Sequence, residues 1–112
     1  MSHCALIVFS NPVAGREDEY DDWYSHRHLG DVLPLPGFRS AQRFKLAQNE
    51  PAAPWKCLAI YEFEADDPAE AVNALTARAE TPEMFISDAT DLRAYAVAPW
   101  AAITENMFSK PA

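Results

Sequence analysis

The stretch Tyr20-Asp21-Asp22-Trp23-Tyr24-Ser25-His26-Arg27-His28-Leu29-Gly30-Asp31 holds the densest set of side chains able to do chemistry. On a helix, Tyr20, Tyr24, Arg27, His28 and Asp31 share one face, at steps of four, three, one and three, and Trp23 flanks it. A buried helix face ordinarily carries Leu, Ile or Val. This one carries polar-tipped aromatics, an imidazole and a carboxylate, which suits a partly apolar pocket with a few polar anchors. His28 is the acid/base candidate, because an unperturbed imidazole titrates near neutrality. Asp31, one turn on, would orient the ring or keep it protonated. Tyr24, one turn back, would donate to a ligand oxygen. The same spacing also fits a structural histidine tied to a carboxylate or a carbonyl at the helix end, and spacing alone leaves both readings open.

The neighbouring groups read as scaffolding. His26 and His28 are two apart, so on a helix they point about 200° from each other and cannot hold one ion together. His3 adds an imidazole without ligand spacing, so no metal site is expected. The acidic run from Glu17 to Asp22 reads as a solvated, dipole-matched helix start, not a calcium loop. Arg27 either stacks on Trp23 or covers core. Two cysteines are too few for a disulfide framework or a zinc site. Cys4 and Cys57 start strands expected to be antiparallel neighbours, which sets them at opposite ends and beyond disulfide reach. They read as structural thiols in a reducing setting.

The elements that position these residues follow from apolar runs and breakers. Residues 4–10 form an apolar strand, and Asn11-Pro12-Val13-Ala14-Gly15 breaks it. A helix from about residue 17 to about 32 stops at Pro34 and Pro36. Residues 37–46 and 55–64 form a hairpin around the loop 47–54. Asp67-Pro68-Ala69-Glu70 starts a second helix that runs to about residue 79, with Asp67 as cap and Glu70 closing a capping box. Thr81 restarts a short helical turn carrying Met84, Phe85 and Ile86. Residues 92–100 form a last strand and 101–112 a tail. The order β-α-β-β-α-β is the ferredoxin-like arrangement, an α+β fold with four antiparallel strands and two helices on one face.

In the hairpin, placing Phe44 opposite Cys57 also pairs Leu46/Trp55, Ser40/Tyr61 and Phe38/Phe63 on one face. Ser40, Gln42 and Tyr61 then lie on the helix-facing side. There they either bond one another and water or line a cavity opposite His28. The other face carries Arg39 opposite Glu62, with Ala41, Arg43, Leu58 and Ile60. It is half apolar and wants a cover, which a second copy of the chain would supply. Trp55, Phe63, Met84, Phe85 and Trp100 read as core or interface.

A chain of 112 residues is expected to be one domain over 1–112, with room for one small cavity. Nine basic against seventeen acidic side chains leave a formal charge of −8, which repels phosphate backbones and anionic membranes. Neither nucleic acid nor membrane is an expected partner. No apolar run reaches the roughly 18 residues of a membrane span. The first apolar run lacks a basic start and a small-residue cleavage site, so it reads as a strand and a cytoplasmic setting is expected.

Residues 22–33, Asp-Trp-Tyr-Ser-His-Arg-His-Leu-Gly-Asp-Val-Leu, and residues 36–44, Pro-Gly-Phe-Arg-Ser-Ala-Gln-Arg-Phe, together resemble the EthD-like group of dimeric α/β-barrel proteins. That group has a helix with an aromatic pair, a histidine four residues after the second aromatic, a Leu-Pro-Asp-like turn, and Pro-Gly-Phe entering the second strand. Gly30 departs from it, standing where the group usually has proline. The resemblance implies two chains packing their sheets into an eight-stranded barrel, with a pocket in each subunit between sheet and helices. It carries the helix histidine to His28 and the aromatic pair to Trp23 and Tyr24. The expected function is a cofactor-free enzyme moving a proton during isomerisation, cyclisation or dehydration of an aromatic, polyketide-like or lactone substrate. Catalytic roles fall to His28, Tyr24 and Asp31, and substrate contacts to Tyr20, Trp23, Arg27, Ser40, Gln42 and Tyr61. The alternatives are a non-catalytic small-molecule-binding or accessory protein and a cofactor-free or haem-type oxygenase, for which only His28 offers an axial ligand.

Overall fold

A computed structural model describes residues 2–111. Four strands, β1 (Ser2–Ser10), β2 (Phe38–Lys45), β3 (Cys57–Ala65) and β4 (Ala96–Ala101), form one sheet in the order β2-β3-β1-β4. Every pairing is antiparallel. One face is covered by a continuous helical rod and by α3 (Ala69–Arg78). The rod comprises α1 (Glu17–Trp23), a π-helical turn (Tyr24–His28) and α2 (Leu29–Val32). The fold is thus the expected ferredoxin-like α+β arrangement.

The boundaries have local causes. Glu17, Asp18 and Glu19 occupy the first turn of α1, where the helix dipole favours them. The Asp67 carboxylate accepts the Ala69 N–H at 3.1 Å, satisfying a donor at the start of α3 just after Pro68. Gly37 takes a left-handed φ of 83° as the chain turns into β2. Its carbonyl accepts the Glu64 N–H at 3.0 Å, and a Cβ there would run into the Glu64 carbonyl. Residues 92–95 are not strand, because Asp91 accepts the backbone N–H of Arg93 at 3.1 Å and turns the chain. Met84 does fall in a turn, with its N–H on the Thr81 carbonyl at 3.0 Å, but that turn is not helical.

The core lies between sheet and helices. Cys4, Leu6, Tyr61 and Phe63 come from the sheet, and Tyr20, Trp23, Tyr24 and Val32 from the rod. Cys4 pairs with Phe63 and Cys57 with Ser10, so the two free thiols sit at opposite ends of the β1–β3 ladder, as expected.

The hairpin register differs from the expected one beyond its first pair. Phe38 does face Phe63, but Ser40 then faces Glu62, Ala41 faces Tyr61 and Arg43 faces Ala59. Arg39 is the extra residue of a β-bulge. Because side chains alternate with period 2, one inserted residue exchanges the faces of everything beyond it. The helix-facing placement of Ser40 and Gln42 is therefore corrected: both are exposed on the open face, and Ser40 Oγ donates to Glu62 at 3.0 Å. Arg43 moves the other way, from the open face to the helix side.

The open face is largely apolar. Ile7 pairs with Ile60 and Ala98, and Phe9 with Leu58 and Ala96. Phe44 and Trp100 on the same face are exposed by 43% and 58%.

Candidate functional site

The site begins with the π-helical turn. The Leu29 N–H bonds the carbonyl of Tyr24, five residues back, so this turn holds one residue more than an α-turn. In an unbroken α-helix, residues 23 and 28 would point about 140° apart. Here Trp23 and His28 stack, with centroids 4.5 Å apart and planes at 25°. Tyr24 meets His28 edge-on at 4.9 Å and 86°. The extra residue turns His28 and Val32 inward and carries Arg27 and Asp31 off the face they were expected to share.

Around His28 lies a cavity of about 600 Å³ between the sheet, the rod, α3 and the segment 79–95. Sheet residues Val8, Ser10 and Tyr61 form its floor, Val72 and Leu75 of α3 one wall, and half-exposed Leu92 and Tyr95 its rim. Its lining is mostly apolar, and Glu80 is the one formally charged side chain in it among the described residues. Trp23 Nε1 donates to the Phe85 carbonyl at 3.0 Å, tying the rod to the segment that closes the cavity.

Tyr24, Tyr61, His28 and Thr90 line this cavity, and each carries a buried polar atom beyond ordinary hydrogen-bond distance of a protein partner, although the Tyr24 and Tyr61 hydroxyls lie close enough to act on each other. Buried polar groups are nearly always satisfied, and each one left alone costs about 1–3 kcal/mol. Four such groups on residues that line one cavity mark it as the candidate ligand site.

The electrostatics follow from burial. Burial pushes the His28 imidazole down to about 4, opposed in part by the negative field of Asp31, so the ring is neutral at physiological pH. Burial pushes the Tyr24 and Tyr61 hydroxyls up, so both are neutral donors. The Tyr61 hydroxyl and then Arg43 oppose that rise at Tyr24, and Arg43 opposes it at Tyr61.

The structure thus brings Tyr24, His28, Tyr61 and Trp23 together at one cavity and places the other expected residues elsewhere. Tyr20 is buried behind Tyr24, with its hydroxyl bonded to Ser10 Oγ. Asp31 acts on His28 only through its field, and its carboxylate lies 3.4 Å from Arg27. Arg27 is half exposed, and its guanidinium sits 4.9 Å from the Phe85 ring, outside the cavity. Ser40 and Gln42 are on the far side of the sheet. Sequence reasoning missed Ser10, Thr90 and Arg43. The first two carried no signal beyond polarity, and Arg43 was hidden by the bulge. Among the described residues no three His, Cys, Asp or Glu side chains gather as a metal site would need, and no helix is long and apolar enough to cross a membrane.

Fold and cavity define the class: a ferredoxin-like α+β chain with a ligand-sized space between its sheet and its helices. A crystal structure of an ethyl tert-butyl ether D (EthD) family protein from Bacillus halodurans C-125 is similar to it over 96% of this chain and 100% of that one, with a TM-score of 0.53 and 12% identity. The likeness supports an EthD-like fold, and at this identity it speaks for the fold alone. No protein-family model and no curated protein matches the chain.

Proposed function

We propose that this protein is a small cofactor-free enzyme that moves a proton within an aromatic, polyketide-like or lactone molecule. The observation that supports it is that Tyr24, Tyr61 and the neutral His28 imidazole line one mostly apolar cavity, the two hydroxyls beside each other and His28 Nδ1 without a protein partner. A substrate carbonyl oxygen would accept from the two tyrosines. His28 would take the proton from the adjacent carbon, and the C–H electron pair would move into the carbonyl as an enolate. A buried imidazolium is a strong acid by the same burial that keeps the ring neutral, so it hands the proton back at another carbon or to a departing hydroxyl. Isomerisation and dehydration are the outcomes of that step. His28 thus starts as the base, and its role as acid belongs only to the second half.

The test is proton exchange. Enolisable aromatic ketones and lactones incubated with the protein in D₂O should gain deuterium at the α-carbon. His28→Gln, folded by circular dichroism, should lose at least about a hundredfold of the exchange rate. Full turnover in that variant overturns the assignment.

One observation favours a second reading, a non-catalytic small-molecule-binding or accessory protein: a base held near 4 is weak at neutral pH. Ligand affinity that depends on His28, with no exchange in any compound, selects it.

We also propose a homodimer joined through the open face of the sheet. Half-buried Ile7, Phe9, Leu58 and Ile60 with exposed Phe44 and Trp100 form an apolar surface that a single chain covers only in part. The tail beyond β4 exposes Ile103, Met107 and Phe108 as well. The Cα radius of gyration, 15.0 Å, exceeds the roughly 13 Å of a compact chain this long. Sedimentation should give a dimer, and Ile60→Glu should shift it to monomer. A stable wild-type monomer at micromolar concentration contradicts the proposal.

A further inference from the structure

Arg43 is the strongest charge placed against the tyrosines, and nothing in the proposed chemistry uses it. Its guanidinium is largely buried on the helix side of the sheet, with Cζ 4.7 Å from the Tyr24 ring centroid and 5.3 Å from that of Tyr20. Nη1 donates to Ser25 Oγ at 2.7 Å and Nη2 to the Asp21 carboxylate at 2.8 Å, which clamps the group to the rod. Arg43 does not line the cavity, whereas Tyr24 does, with its buried hydroxyl beside that of Tyr61. The positive charge therefore lies against the ring of a tyrosine that lines the cavity.

We propose that Arg43 is a positioning residue acting through Tyr24, and that it makes the Tyr24–Tyr61 hydroxyl pair a subsite for an oxygen that carries or gains negative charge. The ligand class is an enolate- or phenolate-forming compound. The proposal rests on the reading above only in taking this cavity as the ligand site.

The physical argument is one of charge and screening. A cation over an aromatic ring polarises it and makes its hydroxyl a stronger donor. The carboxylate opposing Arg43 is that of Asp21, which is 59% exposed, so water screens it while Arg43 sits at 16% exposure. The field of Arg43 toward Tyr24 is thus incompletely cancelled. The other titratable groups that act on Tyr24 are Tyr61 and Cys57 from β3, both neutral, and the His28 ring beside it is neutral too. Arg43 is the one charge whose field reaches both hydroxyls and favours an anion there, and the Glu80 carboxylate on the same cavity opposes it. It also stands where it does because of the bulge at Arg39. Without that extra residue its side chain would point to the open face, away from both tyrosines.

4-Nitrophenol tests this, because its two protonation states differ in colour and binding reads directly which form the site holds. In the wild type its bound pKa should lie about one unit below that in Arg43→Met, which is about tenfold in favour of the phenolate. Arg43→Met should lose that advantage while the neutral phenol still binds. Arg43→Lys should keep part of it, since charge carries the effect. Asp21→Asn leaves the cavity lining untouched and should enlarge the shift, so the proposal stays testable if Arg43→Met does not fold. No binding to the wild type, the same bound pKa in the wild type and Arg43→Met, or no response to Asp21→Asn each overturns it. The readout is independent of turnover. A protein that exchanges no protons yet shifts nitrophenol loses the proposed reaction and keeps this subsite, and the reverse result separates them the other way.

Discussion

Trp23 and His28 stack face to face across a π-helical turn, and that contact decides the chemistry of the imidazole. The indole shields one face of the ring from water, and Tyr24 closes on it edge-on. Desolvation follows, and it is the main cause of the drop to about 4. Trp23→Leu removes the shield and the Nε1 bond to Phe85. It should return the His28 pKa toward 6.5, read from imidazole proton shifts by NMR, and cost about 2–4 kcal/mol of stability. An unmoved pKa would show that Trp23 is not what dries the ring.

The same depressed pKa fixes how stability responds to acid. The unfolded chain protonates His28 near 6.5, and the folded chain resists until about 4. Between those values the unfolded state binds more protons, so stability rises with pH. The contribution is fully present above 6.5 and is lost as pH falls through that window, by about 3 kcal/mol in all. Urea unfolding from pH 7 to pH 4 should follow this slope in the wild type and flatten in His28→Gln. The pH dependence of activity follows the same ring: flat above about 5, falling in acid as the base is consumed.

Tyr61 should separate stability from ligand binding. Its hydroxyl is buried with only the Tyr24 hydroxyl beside it, so Tyr61→Phe deletes a poorly satisfied group and keeps the ring that packs on Phe38 at 6.2 Å. The variant should be as stable as the wild type or more so, by up to about 1 kcal/mol. Its affinity for an oxygen-bearing ligand should fall about tenfold, the worth of one hydrogen bond to that oxygen. Thermal melts and a binding titration check the two halves. A loss of stability would mean that the hydroxyl is already satisfied inside the fold.

The order of elements was legible because its punctuation is strong. Pro34 and Pro36 end the rod, Asp67-Pro68 starts α3, and Gly37 opens β2. Tyr24 and His28 stood out because polar-tipped side chains occupied a face that burial should have filled with aliphatics. What failed were the two places where one extra residue breaks a period. The π-helical turn moved Arg27 and Asp31 off the pocket face. The bulge at Arg39 moved Ser40 and Gln42 to the open face and brought Arg43 behind the tyrosines. Both insertions are invisible to pattern matching, because Phe38 and Phe44 sit in step on a simple strand and Tyr20, Tyr24, Arg27 and Asp31 on a simple helix. Only packing reveals that Phe38 stacks on Phe63 at 5.1 Å in the core while Phe44 faces out.

The glycines give the sharpest contrast for a mutational test. Gly30 lies in α2, and a Cβ there would meet nothing within 4 Å. Gly30→Ala should stabilise the protein by about 0.5–1 kcal/mol, through reduced freedom of the unfolded chain and better helix propensity. Gly37 combines a φ of 83° with a Cβ position that runs into the Glu64 carbonyl, which is backbone and cannot swing away. Gly37→Ala should cost well over about 2 kcal/mol. The damage should also spread beyond local strain, because Gly37 precedes the bulge whose register sends Arg43 inward. Denaturant melts measure the first effect in both variants. The second is read by the 4-nitrophenol titration, in which Gly37→Ala should lose the phenolate preference and Gly30→Ala should keep it. If Gly37→Ala folds and keeps that preference, the turn before β2 does not control where Arg43 points.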